Sequence, residues 1–535
     1  MLRTRSLIAV TTALASVLLL VLMLRWVPSW LADTRGLSRR EAVAEVGRIR
    51  TGVLASAAGL LALSGAVFTA RNYSLTRRGQ VTDRFSRAVE QLGHTGAAVR
   101  LGAVYALEQI ARDSPTDQPQ IMEVIAAFAC QQPERQAGAE TTTSMPESAS
   151  IDVVGAVTVL GRRNTEHDTP NHRIELSGAQ LVAISASDAD FSLANLSASD
   201  LRGARLQGAD LGSASFIGAD LRGANLSGAN LVEALMWRAE LQDATLNGAT
   251  LDRCALEKVN LTGARLSWTQ CVATRLAEAN LHRADLMGMR GFNTDFGAAT
   301  LTAARLDHAT LFLARFLDAD LTEASMKEAD LRTAEFTRAI LVDADLRGAD
   351  LRDAVFVWAD LRAAKLTGAQ LQGARFGGAD LRGIDLIGGD LSGADFREAD
   401  LSGARLAGAD LTGSNLAGSR LRGADLSGAR LSRSDLRGVE LDNTNLCGAE
   451  LTDTLMEGSR PRNTGIGPPA PRGYRVMPDV HKAPRLEDQP PKYLPMSGTS
   501  ARIVEFPDSV KVRGASHQLE TFFAGYDDPE PEPDH

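Results

Sequence analysis

The chain is poor in the residues that build catalytic and metal centres. Its four cysteines include no C-x-x-C pair, and nothing in their placement calls for a disulfide. The eight histidines (His94, His167, His172, His282, His308, His481, His517 and His535) are scattered without metal-ligand spacing. There is no glycine loop of the phosphate-cradling kind and no nucleophile motif in its proper context. A formal net charge of -9 excludes a generally nucleic-acid-binding surface. These absences point to a chain with no catalytic, cofactor-binding or metal site, and an enzyme is not expected.

What the chain has instead is a repeat. Read in fives from Leu176, one slot is almost always Leu, Phe or Met: Leu196, Leu201, Leu206, Leu211, Phe216 and Leu221, on to Leu446, Leu451 and Met456. The slot two residues earlier is mostly Ala (Ala204, Ala209, Ala214, Ala219), the slot between is often Asp, Asn or Arg, and the slot two after is often Gly. The unit A-(D/N)-L-x-G recurs for about 57 copies, and such an internal repeat decides the architecture.

A period of five suits neither a helix nor a strand. At about 100° per residue a helix carries the Leu slot around its surface, and at 180° a strand flips it at each repeat. Every Leu points inward only if the chain turns a corner every five residues, with Gly supplying the backbone freedom.

Phe296, Phe316, Phe336, Phe356, Phe376 and Phe396 recur every twenty residues, with Phe216 in phase. Outward charges alternate in sign at the same interval through Arg265, Asp285, Arg305, then Asp345, Lys365, Asp385, Arg405 and Asp425, with a break at Ser325. A second column does so through Arg275, Asp295, Arg315 and Glu335. Opposite charges stacked on neighbouring strands contribute roughly 0.2–1 kcal/mol per pair. Twenty residues therefore make one four-sided coil. Asp360, Asp380 and Asp400 stack like on like, with Arg362 and Arg382 two residues on to dilute the repulsion. The expected architecture is mainly β, a square solenoid of about 14 coils, ~65–70 Å long at a strand spacing of ~4.8 Å.

This pattern resembles the pentapeptide-repeat protein family over just over half the chain. The resemblance implies a right-handed quadrilateral β-helix over 174–459. Departures are few: Ala186, Cys271 and Gly291 occupy the large slot, and Cys254, Val259, Thr269, Thr274, Met289 and Thr294 the Ala slot. Most cluster between 254 and 294, where a local distortion or a bulge is expected.

Ahead of the repeats, a basic segment (1–6) precedes an apolar run read as a first membrane span over 7–27. A secretory signal is the alternative, but Arg25-Trp26-Val27-Pro28-Ser29-Trp30 offers no small-x-small cleavage site. A loop and short helix fill 28–50, where Ser38-Arg39-Arg40-Glu41 has the form of a capping box. The uncharged run 51–70 reads as a second span; a buried soluble helix is its alternative. A two-helix transmembrane hairpin puts both termini on one side, and the positive-inside rule favours a cytoplasmic repeat domain by a thin margin.

The period turns helical from Gln80 to Cys130, giving a small α-helical module over 71–130. The order of two spans, this module and the repeats resembles membrane-anchored bacterial pentapeptide-repeat proteins of the actinobacterial type, which implies a bacterial inner-membrane location. A polar linker spans 131–150. Residues 151–173 read as a short helix and loop covering the open edge of the first coil, with a buried strand as the rival. A Pro-rich tail, 460–535, is expected to be largely disordered.

The repeat residues carry little chemistry. Cys254 and Cys271 fall on inward slots and read as buried apolar residues, while His282 and His308 fall on outward ones. The many Asp read as a solvated face. Outward apolar residues are more informative. Val272, Phe292 and Phe312 share one outward column on three successive coils, with Leu313 beside the last; Ile217 and Trp237 form a smaller pair, and Trp358 stands alone. Contiguous exposed apolar surface marks a contact site, unless the tail or a neighbouring helix covers it.

Three functional readings follow. The first is a non-catalytic scaffold, tethered to the lipid bilayer through two spans, that binds an unidentified protein partner and no nucleic acid. The second is implied by the family resemblance: a DNA-mimicking binder of a type II topoisomerase (gyrase). It requires a one-sided acidic field, whereas the repeats hold about 40 acidic and about 30 basic residues, well interspersed. The third is a structural assembly element of the membrane.

Overall fold

In each five-residue unit, all five backbone N–H groups have to find an acceptor if the chain is to be buried on one side. The unit Leu411–Asn415 shows how this is met. Leu411 and Gly413 donate to the next coil, at Arg430 O (2.8 Å) and Ser432 O (2.9 Å), and Asn415 donates to the previous one at Ala394 O (2.9 Å). Ser414 donates back to Leu411 O within the turn (3.0 Å). The fifth, Thr412, has no backbone acceptor and donates to the Asp410 carboxylate at 2.9 Å. The Asp/Asn slot is therefore more than a solvated face: its side-chain oxygen completes the turn.

The computed structural model describes residues 38–131, 148–169, 173–460 and 464–465, with isolated positions before 38. These lie within one compact unit, 1–479. The first span (7–27) falls outside the described residues apart from Val21, Arg25 and Trp26, as do most of the linker and of the tail.

Parallel bridges join each residue of the outward slot to the residue twenty further on, from Glu175↔Asn195 to Asn445↔Gly465. Phe336 lies over Phe356 with ring centroids 4.8 Å apart and planes within 3°. The four-sided, twenty-residue coil thus holds along the repeat. The Leu, Phe and Ala slots are almost fully buried throughout. Of the local distortion or bulge expected between 254 and 294, no bulge forms: Gln270↔Arg290 and Asp295↔Arg315 keep the register. Instead the turn opens locally into two short paired strands, β1 (Arg290–Phe292) and β2 (Thr310–Phe312). Gly291 leaves the large seat empty, and the Thr294 hydroxyl stands where a side chain would begin.

Each corner places one residue at positive φ. Among the described residues there are 57 such corners, 25 at glycine and 32 at other residues. A left-handed conformation costs an L-residue roughly 1–2 kcal/mol. The hydrogen-bonded coil holds it there.

Among the described residues, four α-helices precede the repeats. The first, α1 (Arg39–Leu92), runs without a break for 54 residues. It starts where the Ser38 backbone N–H and hydroxyl both donate to the Glu41 carboxylate (2.9 and 2.7 Å). Within it, Arg39–Arg71 is long and apolar enough to cross a bilayer, and its apolar window is unburied. Ala88 and Leu92 at its other end are buried against α2 (Ala97–Asp113), which packs in turn on α3 (Gln118–Cys130) and α4 (Ile151–Gly161).

Residues 151–161 are helical, not a strand, and α4 meets the first coil end-on. The Asp190 N–H donates to Gly161 O (2.8 Å), and Arg163 donates to Leu160 O (3.1 Å) and Asp190 O (2.6 Å). The Ala189 and Phe191 side chains leave no room for a side chain on Gly161. Helix and β-helix share one continuous core.

Candidate functional site

The repeating turn decides which side chains stand outside. Residues before and after the large slot flank the same corner, so an Asp before it and an Arg after it meet. Among the described residues nine pairs do so, from Arg202–Asp200 and Arg222–Asp220 to Arg437–Asp435, each two-pronged, with Nε–Oδ1 at 2.8–2.9 Å and Nη2–Oδ2 at 2.5–2.7 Å. The sequence reading set only Arg362 and Arg382 against their aspartates, although the signal, Asp-Leu-Arg or Asp-Phe-Arg, recurs at every pair. The Arg382 guanidinium holds the Asp380 carboxyl below its ordinary value, with burial acting the other way. At Asp350 burial acts upward and is outweighed by Arg352. Exposed clamps of this kind contribute roughly 0–1 kcal/mol each. Their larger effect is electrostatic: Asp360 and Asp380 in the like-charged column each carry an arginine, and Arg420 lies 3.6 Å from Asp400.

The apolar column is found half-buried rather than bare. Phe292 and Phe312 stack with centroids 5.9 Å apart at the paired strands β1 and β2, and the Arg332 guanidinium lies 5.7 Å above Phe312. Val272, one coil earlier, is also half-buried, and its N–H donates to the Asp252 carboxylate at 2.9 Å. Leu313 is 39 % exposed at the adjoining corner, φ 58°. Trp237 is covered by Arg238, at 4.2 Å from its ring.

Trp358 is apart from these, 61 % exposed and at a corner with φ 60°. Its ring lies across Gly378 in the next coil: a Cβ there would sit 2.6 Å from the indole. Trp268 (φ 61°) lies across Gly288 in the same manner, a residue the sequence reading did not single out. Around Trp358 runs a groove of about 500 Å³, whose other walls include Asp380, Arg382, Glu398, Asp400 and Arg420.

The interior carries no chemistry of this kind. Burial pushes the Cys271 thiol up to about 12 and the Cys254 thiol higher still. Their hydrogens are directed to Thr269 Oγ1 and Ala234 O. Among the described residues no group of three or more His, Cys, Asp or Glu side chains is arranged to hold a metal ion.

The family model for pentapeptide repeats matches in eight copies, covering residues 174–270 and 299–453. Residues 174–453 are a pentapeptide-repeat domain. The family's right-handed β-helix is the fold of this region, and the unmatched stretch 271–298 is where the large and small slots depart from the motif, though the ladder runs through it. Among solved structures this pentapeptide-repeat chain is similar to HetL, a pentapeptide repeat protein involved in heterocyst differentiation regulation from the cyanobacterium Nostoc sp.. Identity is 26%, over 54% of this chain and 88% of HetL, with a TM-score of 0.17. It is also similar to Rfr23 of the cyanobacterium Cyanothece, at 35% identity over 17% of this chain and 60% of that one, TM-score 0.14. QnrB1, a plasmid-mediated fluoroquinolone resistance protein, is similar at 19% identity over 40% of this chain and 93% of its own, TM-score 0.17. At TM-scores this low the three carry no argument about function. No curated protein matches the chain.

Proposed function

We propose that this pentapeptide-repeat protein is a non-catalytic, membrane-anchored scaffold that presents its β-helix to a protein partner. The observation that carries the reading is the kind of residue found at certain corners. Glycine fills 25 of the 57 at no steric cost, yet Trp268, Leu313 and Trp358 hold large apolar side chains in the left-handed conformation and in solvent. The left-handed corner is general in this fold, so it is the solvent exposure of these large apolar side chains that marks them as contact points. On a rigid, regular lattice they form fixed contact points. Anchoring rests on the apolar, unburied stretch Arg39–Arg71 together with the apolar run in 7–27, and the arginines that follow the second run favour a cytoplasmic repeat domain at a bacterial inner membrane.

Crosslinking in intact membranes followed by mass spectrometry tests this, comparing the wild type with a Phe292→Asp/Phe312→Asp variant. Loss of a partner from the variant is the expected result; an unchanged partner set removes the apolar column from the proposal. The gyrase-binding alternative draws on the column Asp360, Asp380, Asp400. The clamping arginines work against it, because a DNA mimic needs carboxylates without counter-charges at their side. A supercoiling assay separates the readings: no effect on gyrase at micromolar protein disposes of the alternative.

A further inference from the structure

Three aromatic side chains on the outer surface differ in one respect. Trp237 lies under the Arg238 guanidinium at 4.2 Å, and Phe312 under that of Arg332 at 5.7 Å. Trp358, the most exposed of the three, has no cation over its ring among the described residues, and neither has Trp268, the other exposed corner tryptophan. A carboxylate stands in the corner column of Trp358 instead. Trp358, Gly378, Glu398 and Gly418 follow one another on successive coils, and all four line the same groove. Gly378 is the residue that admits the indole, since any side chain there would meet the ring.

The charges of the groove are matched except for one. Asp380 is clamped by Arg382 at 2.7 Å, and Asp400 lies 3.6 Å from Arg420. Glu398 has no ion pair among the described residues and is exposed. The groove therefore presents a flat aromatic surface and one carboxylate without an ion pair of its own, beside Arg397 which acts on it at longer range, with a net charge of one negative unit over its five ionised side chains. A planar guanidinium is complementary to both: it stacks on an indole and forms charge-assisted hydrogen bonds with a carboxylate. An anion is not, because both arginines of the groove already face carboxylates.

We infer that the Trp358–Glu398 groove is the seat of an arginine side chain from a partner protein, its guanidinium lying on the indole and pairing with Glu398. This rests on the scaffold reading and adds to it the chemistry of the partner's anchor residue. The chain makes the same stack internally at Trp237–Arg238, so the surface supports it sterically.

The test uses the full chain in detergent or nanodiscs, labelled with 5-fluorotryptophan, and follows the Trp358 resonance by 19F NMR; Trp358→Gly assigns the signal among the five tryptophans. The probe is the tripeptide acetyl-Gly-Arg-Gly-amide, against its citrulline counterpart, which has the same shape and no charge. A saturable shift of the Trp358 signal with the arginine peptide, absent with citrulline and weakened about fivefold by Glu398→Gln, is the expected result. Equal shifts with the two peptides, a Glu398→Gln response equal to wild type, or a Trp358 signal that does not move each overturn the proposal. If the signal stays still while the Phe292→Asp/Phe312→Asp crosslinking pattern changes, the arginine seat falls and the scaffold reading stands.

Discussion

Replacing Phe336 by alanine tests the coil geometry where it is most regular. Its ring is fully buried and lies between those of Phe316 and Phe356, each 4.8 Å away and within 3° of parallel. Truncating a buried Phe costs about 3–5 kcal/mol. Aromatic pairs contribute about 0.5–1.5 kcal/mol beyond their burial, so Phe336→Ala loses two such pairs. Phe396 ends the row and has one stacked neighbour, Phe376 at 4.9 Å. Phe396→Ala should therefore cost less than Phe336→Ala, by about 1 kcal/mol. Phe336→Leu loses the same two aromatic pairs and should cost about 1–3 kcal/mol, less than Phe336→Ala because Leu256 and Leu276 fill the same seat, fully buried, in earlier coils. Urea denaturation ranks the three variants, and hydrogen exchange locates the loss. A destabilisation of about 4 kcal/mol accelerates exchange roughly a thousandfold where opening is local. Coils touch only their neighbours, so the acceleration should centre on the coils of Phe316, Phe336 and Phe356 and fade toward Leu256. Equal losses for Phe336→Ala and Phe396→Ala, or a uniform rise from Leu176 to Met456, would refute the nearest-neighbour account.

Other expectations follow from the corners, the clamps and the helical cap. Gly378→Ala should destabilise more than Gly383→Ala, because both sit at positive φ but only the first meets a tryptophan ring; the excess should disappear in a Trp358→Gly background, as read by paired denaturation curves. Trp358→Gly alone should raise stability by up to about 1 kcal/mol, and a loss instead would mean that the ring is a structural cover. The carboxyls of Asp345, Asp380 and Asp435, held below their ordinary values chiefly by hydrogen bonds from Arg347, Arg382 and Arg437, contribute stability that is present above the unfolded carboxyl pKa and lost as pH falls through the folded one. Thermal melts should therefore fall as pH drops below about 4, and less so when these arginines are replaced by glutamine. Arg163→Ala removes a nearly buried guanidinium from Asp168, Leu160 O and Asp190 O, and should loosen the first coil by about 3 kcal/mol, visible as faster exchange over 175–195.

The coil itself was legible because its signal is redundant: the Phe row and the alternating charge columns repeat at one interval. The clamps were legible only as countercharges near Asp360 and Asp380, since Asp380 and Arg382 lie two residues apart, a spacing that a flat strand would also put on one face but without the turn that brings them within 2.7 Å. The strain was hidden for a related reason. Gly at the corner slot reads as permissive, and only the backbone angles reveal that Trp358 and Leu313 adopt the same left-handed conformation. Around Cys271 and Gly291 the loss of two large side chains suggested an irregular backbone, whereas the space at Gly291 is taken by Thr294 and the ladder is kept. The groove beside Trp358 depends on which neighbours in the column are glycine, and that needs the twenty-residue register before it can be seen.

The unbroken register has a consequence for how such a molecule changes in length. Inserting or removing twenty residues shifts every downstream patch by one rung and preserves its bearing. A single extra pentad rotates everything beyond it by a quarter turn. The angle between the Phe312 wall and the Trp358 corner is thus quantised, and lineages that must preserve a contact across both are confined to indels of whole turns.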